Sequence, residues 1–85
     1  MKPRKILERI LAGSLNVSFR DFCRLVEAFG FSLSRIRGSH HIFSHPEVPE
    51  LVNIQEVGGK AKPYQIRQFL KLVEENNLEI QDDEP

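Results

Sequence analysis

Apolar residues recur at helical spacing in three stretches of the chain and at strand spacing between the second and third. Ile6, Leu7, Ile10 and Leu11 share one face of a short helix predicted over residues 4–11. Ala12-Gly13-Ser14 closes it, with Gly13 as the stop, and Leu15-Asn16-Val17 is a connector. Ser18 opens the next helix, with Asp21 three residues on, close to a capping box. Phe19, Phe22, Cys23, Val26 and Phe29 then make the clearest apolar stripe in the chain, and Gly30 ends it. A closing helix starts at Pro63, a residue suited to the first helical turn. Its apolar face is Ile66, Phe69, Leu70 and Val73, and it ends near Asn76-Asn77.

Between these helices the period changes to two. Residues 31–37 read as a strand, but the alternation fails midway. Phe31, Leu33, Arg35 and Arg37 fall on one parity, and Ser32, Ser34 and Ile36 on the other. A bulge or strong twist near Arg35 is expected. Gly38-Ser39 is a short connection, and His40 to His45 a second strand ended by Pro46. Residues 46–50, with two prolines, read as a loop, Leu51 to Gln55 as a third strand, and Glu56 to Lys62 as a glycine-containing loop. The order helix, helix, three strands, helix describes one compact α+β domain. It divides into an N-terminal helix and connector (1–17), a main domain (18–80) and an acidic tail (81–85) expected to be disordered.

Composition narrows the class. A chain of 85 residues supports one small domain with a thin core. The single cysteine, Cys23, excludes an intrachain disulfide and reads as a small core residue. Glu8 and Arg9 interrupt the N-terminal apolar stretch, which argues against a signal peptide, and no apolar run approaches a membrane span. A cytoplasmic protein is expected. Formal charge sums to zero but is unevenly placed. Residues 1–73 hold twelve Lys and Arg against six acids, and the last twelve residues hold six acids and no Lys or Arg. A basic body of this kind suits a phosphate-bearing ligand.

The densest chemistry lies in Gly38-Ser39-His40-His41-Ile42-Phe43-Ser44, preceded by Arg35 and Arg37. Adjacent residues on a strand point to opposite faces, so His40 and His41 are not a pair acting on one substrate. His41, Phe43 and His45 share one parity, and His40, Ile42 and Ser44 the other. Either set is able to face the helices. Neighbouring histidines that diverge, with no second cysteine or helical histidine pair, argue against a metal site. Nothing in the spacing orients a base and an acid on Ser39 or Ser44 for nucleophilic catalysis. A lone histidine suffices for RNA cleavage, because the 2′-OH is the nucleophile and the protein needs only to move a proton and stabilise the phosphate. A polar hairpin without chemistry is the plain alternative. Lys60 and Lys62, before the helix at Pro63, form a second basic stretch where a phosphate could sit, and a solvated loop is the alternative reading there.

Residues 18–78 resemble the HicA (YcfA-like) family of bacterial toxins. The resemblance rests on Phe29-Gly30-Phe31 after a helix, on Arg37-Gly38-Ser39-His40-His41-Ile42-Phe43, on a further strand, and on a closing helix with a lysine-containing approach. It implies a fold like a double-stranded-RNA-binding domain, α-β-β-β-α, here with an extra N-terminal helix. It implies an mRNA interferase that needs no metal or other cofactor, and a HicB-type antitoxin that covers the active histidine. The Gly-Ser-His motif falls on Gly38, Ser39 and His40, which makes His40 the catalytic residue. His41 is the alternative, since some members carry the histidine one place later. Arg35, Arg37, Gly38, Ser39, Lys60 and Lys62 are then the expected RNA-binding residues. The chain departs from the family pattern in its first helix, its acidic tail, and Gln55-Glu56 where many members have proline–histidine. The extra helix could support the core, a homodimer or a partner. Two other functions compete with a ribonuclease: a non-catalytic RNA-binding module of the same fold, and a module that only binds a protein partner.

Overall fold

The computed structural model describes residues 1–81. The elements are α1 (Pro3–Leu11), α2 (Phe19–Ala28), β1 (Ser32–Arg37), β2 (His40–His45), β3 (Val48–Gln55) and α3 (Pro63–Glu75). The strands form one antiparallel sheet in the order β1-β2-β3. This is the expected α+β arrangement of the double-stranded-RNA-binding type, preceded by an extra helix. The helices pack on one face of the sheet and leave the other open.

Local chemistry explains the helix limits. Ser18 caps α2 by accepting from the Asp21 N–H at 3.0 Å. Pro3 and Pro63 sit in the first turns of α1 and α3, where a missing N–H costs nothing. At the end of α3 the Leu78 N–H donates to Val73 C=O and the Asn77 N–H to Glu74 C=O, with Asn77 at φ 53°. This double closure consumes carbonyls that would otherwise be orphaned.

The core lies between helices and sheet. Phe69 of α3 is its hub, meeting Phe22, Phe29 and Phe31 edge-on at centroid distances of 5.8, 5.6 and 5.6 Å. Ile6 and Ile10 of α1 and Val17 of the connector belong to the same buried cluster, so the extra helix extends the core. The connector is also tied to the loop before α3: the Phe19 N–H donates to Gly59 C=O and the Ala61 N–H to Val17 C=O.

Two differences from the sequence reading concern the ends of the sheet and the chain. β3 begins at Val48, inside the stretch read as a proline loop. Pro49 is tolerated because β3 is an edge strand and its pairing with β2 is irregular between Phe43 and His45. The disorder expected from Gln81 onward falls mainly on residues 82–85, which lie outside the described residues. Gln81 itself is tied down, its N–H donating to Ala28 C=O at 2.6 Å.

Gly30, after α2, has φ +98°, and a Cβ there would stand 2.9 Å from both His45 Nε2 and Gln81 Nε2. Gly13 has φ +106° with open space around it. In urea unfolding, Gly13→Ala should cost about 1 kcal/mol from backbone conformation alone. Gly30→Ala should cost at least about 2 kcal/mol, because the clash adds to the same penalty.

Candidate active site

The register of β1 decides which side chains meet. Ser32 and Leu33 pair with Ser44 and Phe43, while Arg35, Ile36 and Arg37 pair with Ile42, His41 and His40. Ser34 is therefore one extra residue in β1, and the parity of the strand reverses across it. Directly paired residues of an antiparallel ladder share a face. Leu33 accompanies Phe43 on the helix side, whereas Arg35 and Arg37 emerge on the open face beside Ile42 and His40. The expected irregularity near Arg35 is present and places both guanidiniums next to a histidine.

The connection between β1 and β2 is two residues long, with Gly38 at φ +60°. A glycine in the first central position suits the II′ turns that match strand twist. This tight turn brings His40 directly opposite Arg37.

The three histidines have different surroundings. His40 is half-buried on the open face, with Nδ1 3.0 Å from Asn53 Oδ1. His41 faces the helices, 4.8 Å from the Phe19 ring in an edge contact, with Nδ1 buried and unpartnered. His45 is buried on that same side against Phe31, and its Nδ1 accepts the Glu47 N–H at 3.0 Å. The parity question left open by the sequence is thus answered: Phe43 faces in, and so do His41 and His45.

Arg35, Arg37, His40, Ile42, Leu51 and Asn53 line one shallow concavity of about 380 Å³. Ile42 forms its buried apolar floor and Leu51 an exposed wall. Neither arginine has a carboxylate partner among the described residues. The site can therefore offer two guanidinium cations, one imidazole and a small apolar platform to an anionic ligand.

Ser39 and Lys62 join from one end. Lys62 Nζ donates to Gln55 Oε1 at 2.6 Å, and Gln55 Nε2 donates to Ser39 Oγ at 3.1 Å. Gln55 pairs with His40 across the ladder, so this chain of contacts runs alongside the histidine. Lys60 is directed elsewhere: its Nζ donates to Asn16 Oδ1 at 2.7 Å in the connector between α1 and α2. Asn53 and Gln55 are the site residues that the sequence reading missed. Their spacing of two on a strand, matching that of His40 and Ile42, was the available signal. α3 holds this part of β3 in place. The largely buried Gln65 accepts the Gln55 N–H at 3.0 Å and donates to Asn53 C=O at 3.5 Å, filling the rung a fourth strand would supply.

The family model for the HicA toxin of bacterial toxin–antitoxin systems matches residues 19–74. The chain belongs to the HicA toxin family. The matched span runs from the first residue of α2 to the penultimate residue of α3 and contains every residue of the concavity. α1 precedes it. Membership makes the protein the toxin component of a toxin–antitoxin system and implies an antitoxin partner. No curated protein and no solved structure gives a significant match. No helix among the described residues is long and apolar enough to cross a membrane. No cluster of three His, Cys, Asp or Glu side chains among them is placed to hold a metal ion.

Cys23 stands apart from the site chemistry. Burial, reinforced by the charges of Glu27 and Glu56, raises its thiol from the ordinary 9.0 to about 11. At pH 7 it is a neutral thiol, and the nucleophilic thiolate forms only as pH approaches that value. Alkylation by iodoacetamide should accordingly be slow at pH 8, climb steeply toward pH 11, and become fast at pH 8 once the chain is unfolded in urea.

Proposed function

We propose that this toxin is an endoribonuclease that cleaves messenger RNA in single-stranded regions, with His40 as its proton-transfer group. The observation that carries this reading is the meeting, on one sheet face, of one half-buried imidazole with two guanidiniums that have no carboxylate partner among the described residues. Membership in a toxin family adds weight to it.

The chemistry follows from RNA itself. The 2′-oxygen attacks the adjacent phosphorus, a new P–O bond forms to it, and the bond to the 5′-oxygen breaks. His40 takes the 2′-OH proton, the departing 5′-oxygen takes one from a water molecule, and the His40 imidazolium neutralises the hydroxide left behind. Arg35 and Arg37 hold the phosphate and stabilise charge on its non-bridging oxygens, which is where such donors count most. Lys62 and the Ser39 hydroxyl extend the cradle toward the hairpin tip, and the Gly38 turn brings the backbone close. Because the substrate brings its own nucleophile, no step calls for a metal ion or cofactor. His41 is less suited to this role, since its ring is turned toward Phe19 and away from the arginines. Lys60 contributes through the general positive field.

A HicB-type antitoxin that docks on the open face would silence the toxin by covering His40. Ile6 and Ile10 of α1 are used within the chain's own core, while Leu11 stays exposed, and the ribonuclease reading calls on neither for a homodimer.

Purified protein should cleave single-stranded RNA in EDTA. His40→Ala should lower the rate about 10²- to 10⁴-fold, the usual worth of a positioned acid–base group. His41→Ala should retain most of the activity. Undiminished cleavage by both variants would sink the histidine mechanism, and RNA binding without cleavage by the parent would favour a non-catalytic module. Arg35→Ala and Arg37→Ala should each weaken binding and flatten its salt dependence by about 0.7 in the logarithmic slope, one phosphate contact apiece.

A further inference from the structure

An imidazole on an open sheet face can turn over and can carry its neutral-state proton on either nitrogen. A group that must take a proton from one defined direction needs both freedoms removed. The only side-chain hydrogen bond of His40 among the described residues is the 3.0 Å contact from Nδ1 to Asn53 Oδ1. A carboxamide oxygen only accepts, so the nitrogen facing it carries the hydrogen. The other nitrogen, Nε2, is then left with its lone pair, which is the form a general base requires.

The placement of Asn53 is built into the sheet. Asn53 pairs with Ile42, and Gln55 with His40, so Asn53 is the diagonal neighbour of His40 on the same face. Its backbone is held from the other side by Gln65 of α3, through the Asn53 C=O and the Gln55 N–H. The acceptor that meets His40 is thus anchored through β3 to the packed helix layer. When Nε2 accepts a proton, the ring becomes a cation and the Nδ1–H···O contact becomes charge-assisted, so it strengthens as the reaction proceeds.

We propose that Asn53 is a positioning residue that holds His40 in the Nδ1–H tautomer and presents Nε2 to the RNA. Asn53 need not touch the RNA. The consequence for catalysis rests on the ribonuclease reading above, whereas the tautomer is a property of the free protein and is testable without RNA.

The test uses the full chain labelled with ¹⁵N, with long-range ¹H–¹⁵N correlation of the histidine rings at pH 8. His40 should show a protonated Nδ1 and a bare Nε2. His45 provides the internal control and should show the opposite form, because its Nδ1 already accepts the Glu47 N–H. In Asn53→Ala, His40 should become a mixture of tautomers while His45 is unchanged, which also reports an intact fold. Asn53→Asp keeps an acceptor oxygen and should restore the Nδ1–H form. In cleavage assays Asn53→Ala should lower kcat about ten- to a hundredfold, the scale of a misoriented group, with KM nearly constant. A His40 tautomer that is Nε2–H in the parent, or indifferent to Asn53→Ala, would overturn the inference and leave the ribonuclease reading standing. So would a changed tautomer with unchanged kcat. A tautomer that depends on Asn53 in a protein that cleaves no RNA upholds the hold of Asn53 on His40 and overturns the ribonuclease reading instead.

Discussion

The open face owes its character to one extra residue in an edge strand. Ser34 has no counterpart in β2, so the parity of β1 reverses between Leu33 and Arg35. Without that reversal Arg35 and Arg37 would lie on the helix side with Phe43, turned away from His40. With it, the strand keeps Leu33 on the helix side and sends both guanidiniums to the face that carries His40. A bulge is a small local cost, and here it re-aims two side chains by half a turn.

The two faces of the sheet then divide the histidines by environment. His41 and His45 pack edge-on against Phe19 and Phe31 and contribute to the helix side as amphipathic rings. His40, one residue from His41, is left with Asn53 and two cations. The pleat separates His40 from His41 and His45, and different neighbours on the helix side then distinguish those two.

α3 links the core to the open face. Phe69 gathers Phe22 of α2 with Phe29 and Phe31 of the turn between α2 and β1, while Gln65 closes the outer edge of β3. Asn53 and Gln55 are therefore displayed from a strand fixed on both sides, and Gln55 relays that order to Lys62 and Ser39. Groups that bind or react are better held by such elements than by loops.

Much of this was legible in the chain itself. The helical stripes, the capping serine at Ser18, the stops at Gly13, Gly30 and Asn76-Asn77, and the tight turn at Gly38 are local features, set by backbone sterics and short-range hydrogen bonds. They sufficed for the element order and the fold class, and the Gly38-Ser39-His40 motif pointed to the family. The strand status of Pro49 was not legible, because a proline is acceptable only where its missing N–H faces away from a partner, and edge position belongs to the assembled sheet. Lys60 and Lys62 look alike in sequence, yet one reaches Asn16 and the other Gln55, partners that are distant along the chain. Asn53 was passed over for the same reason: an isolated asparagine acquires a role only through its diagonal neighbour. The sequence by itself determined the elements and the residue types at the hairpin tip, because those depend on nearest neighbours. Only the tertiary structure decided which histidine faces the arginines, because that depends on a strand register that no local stretch contains.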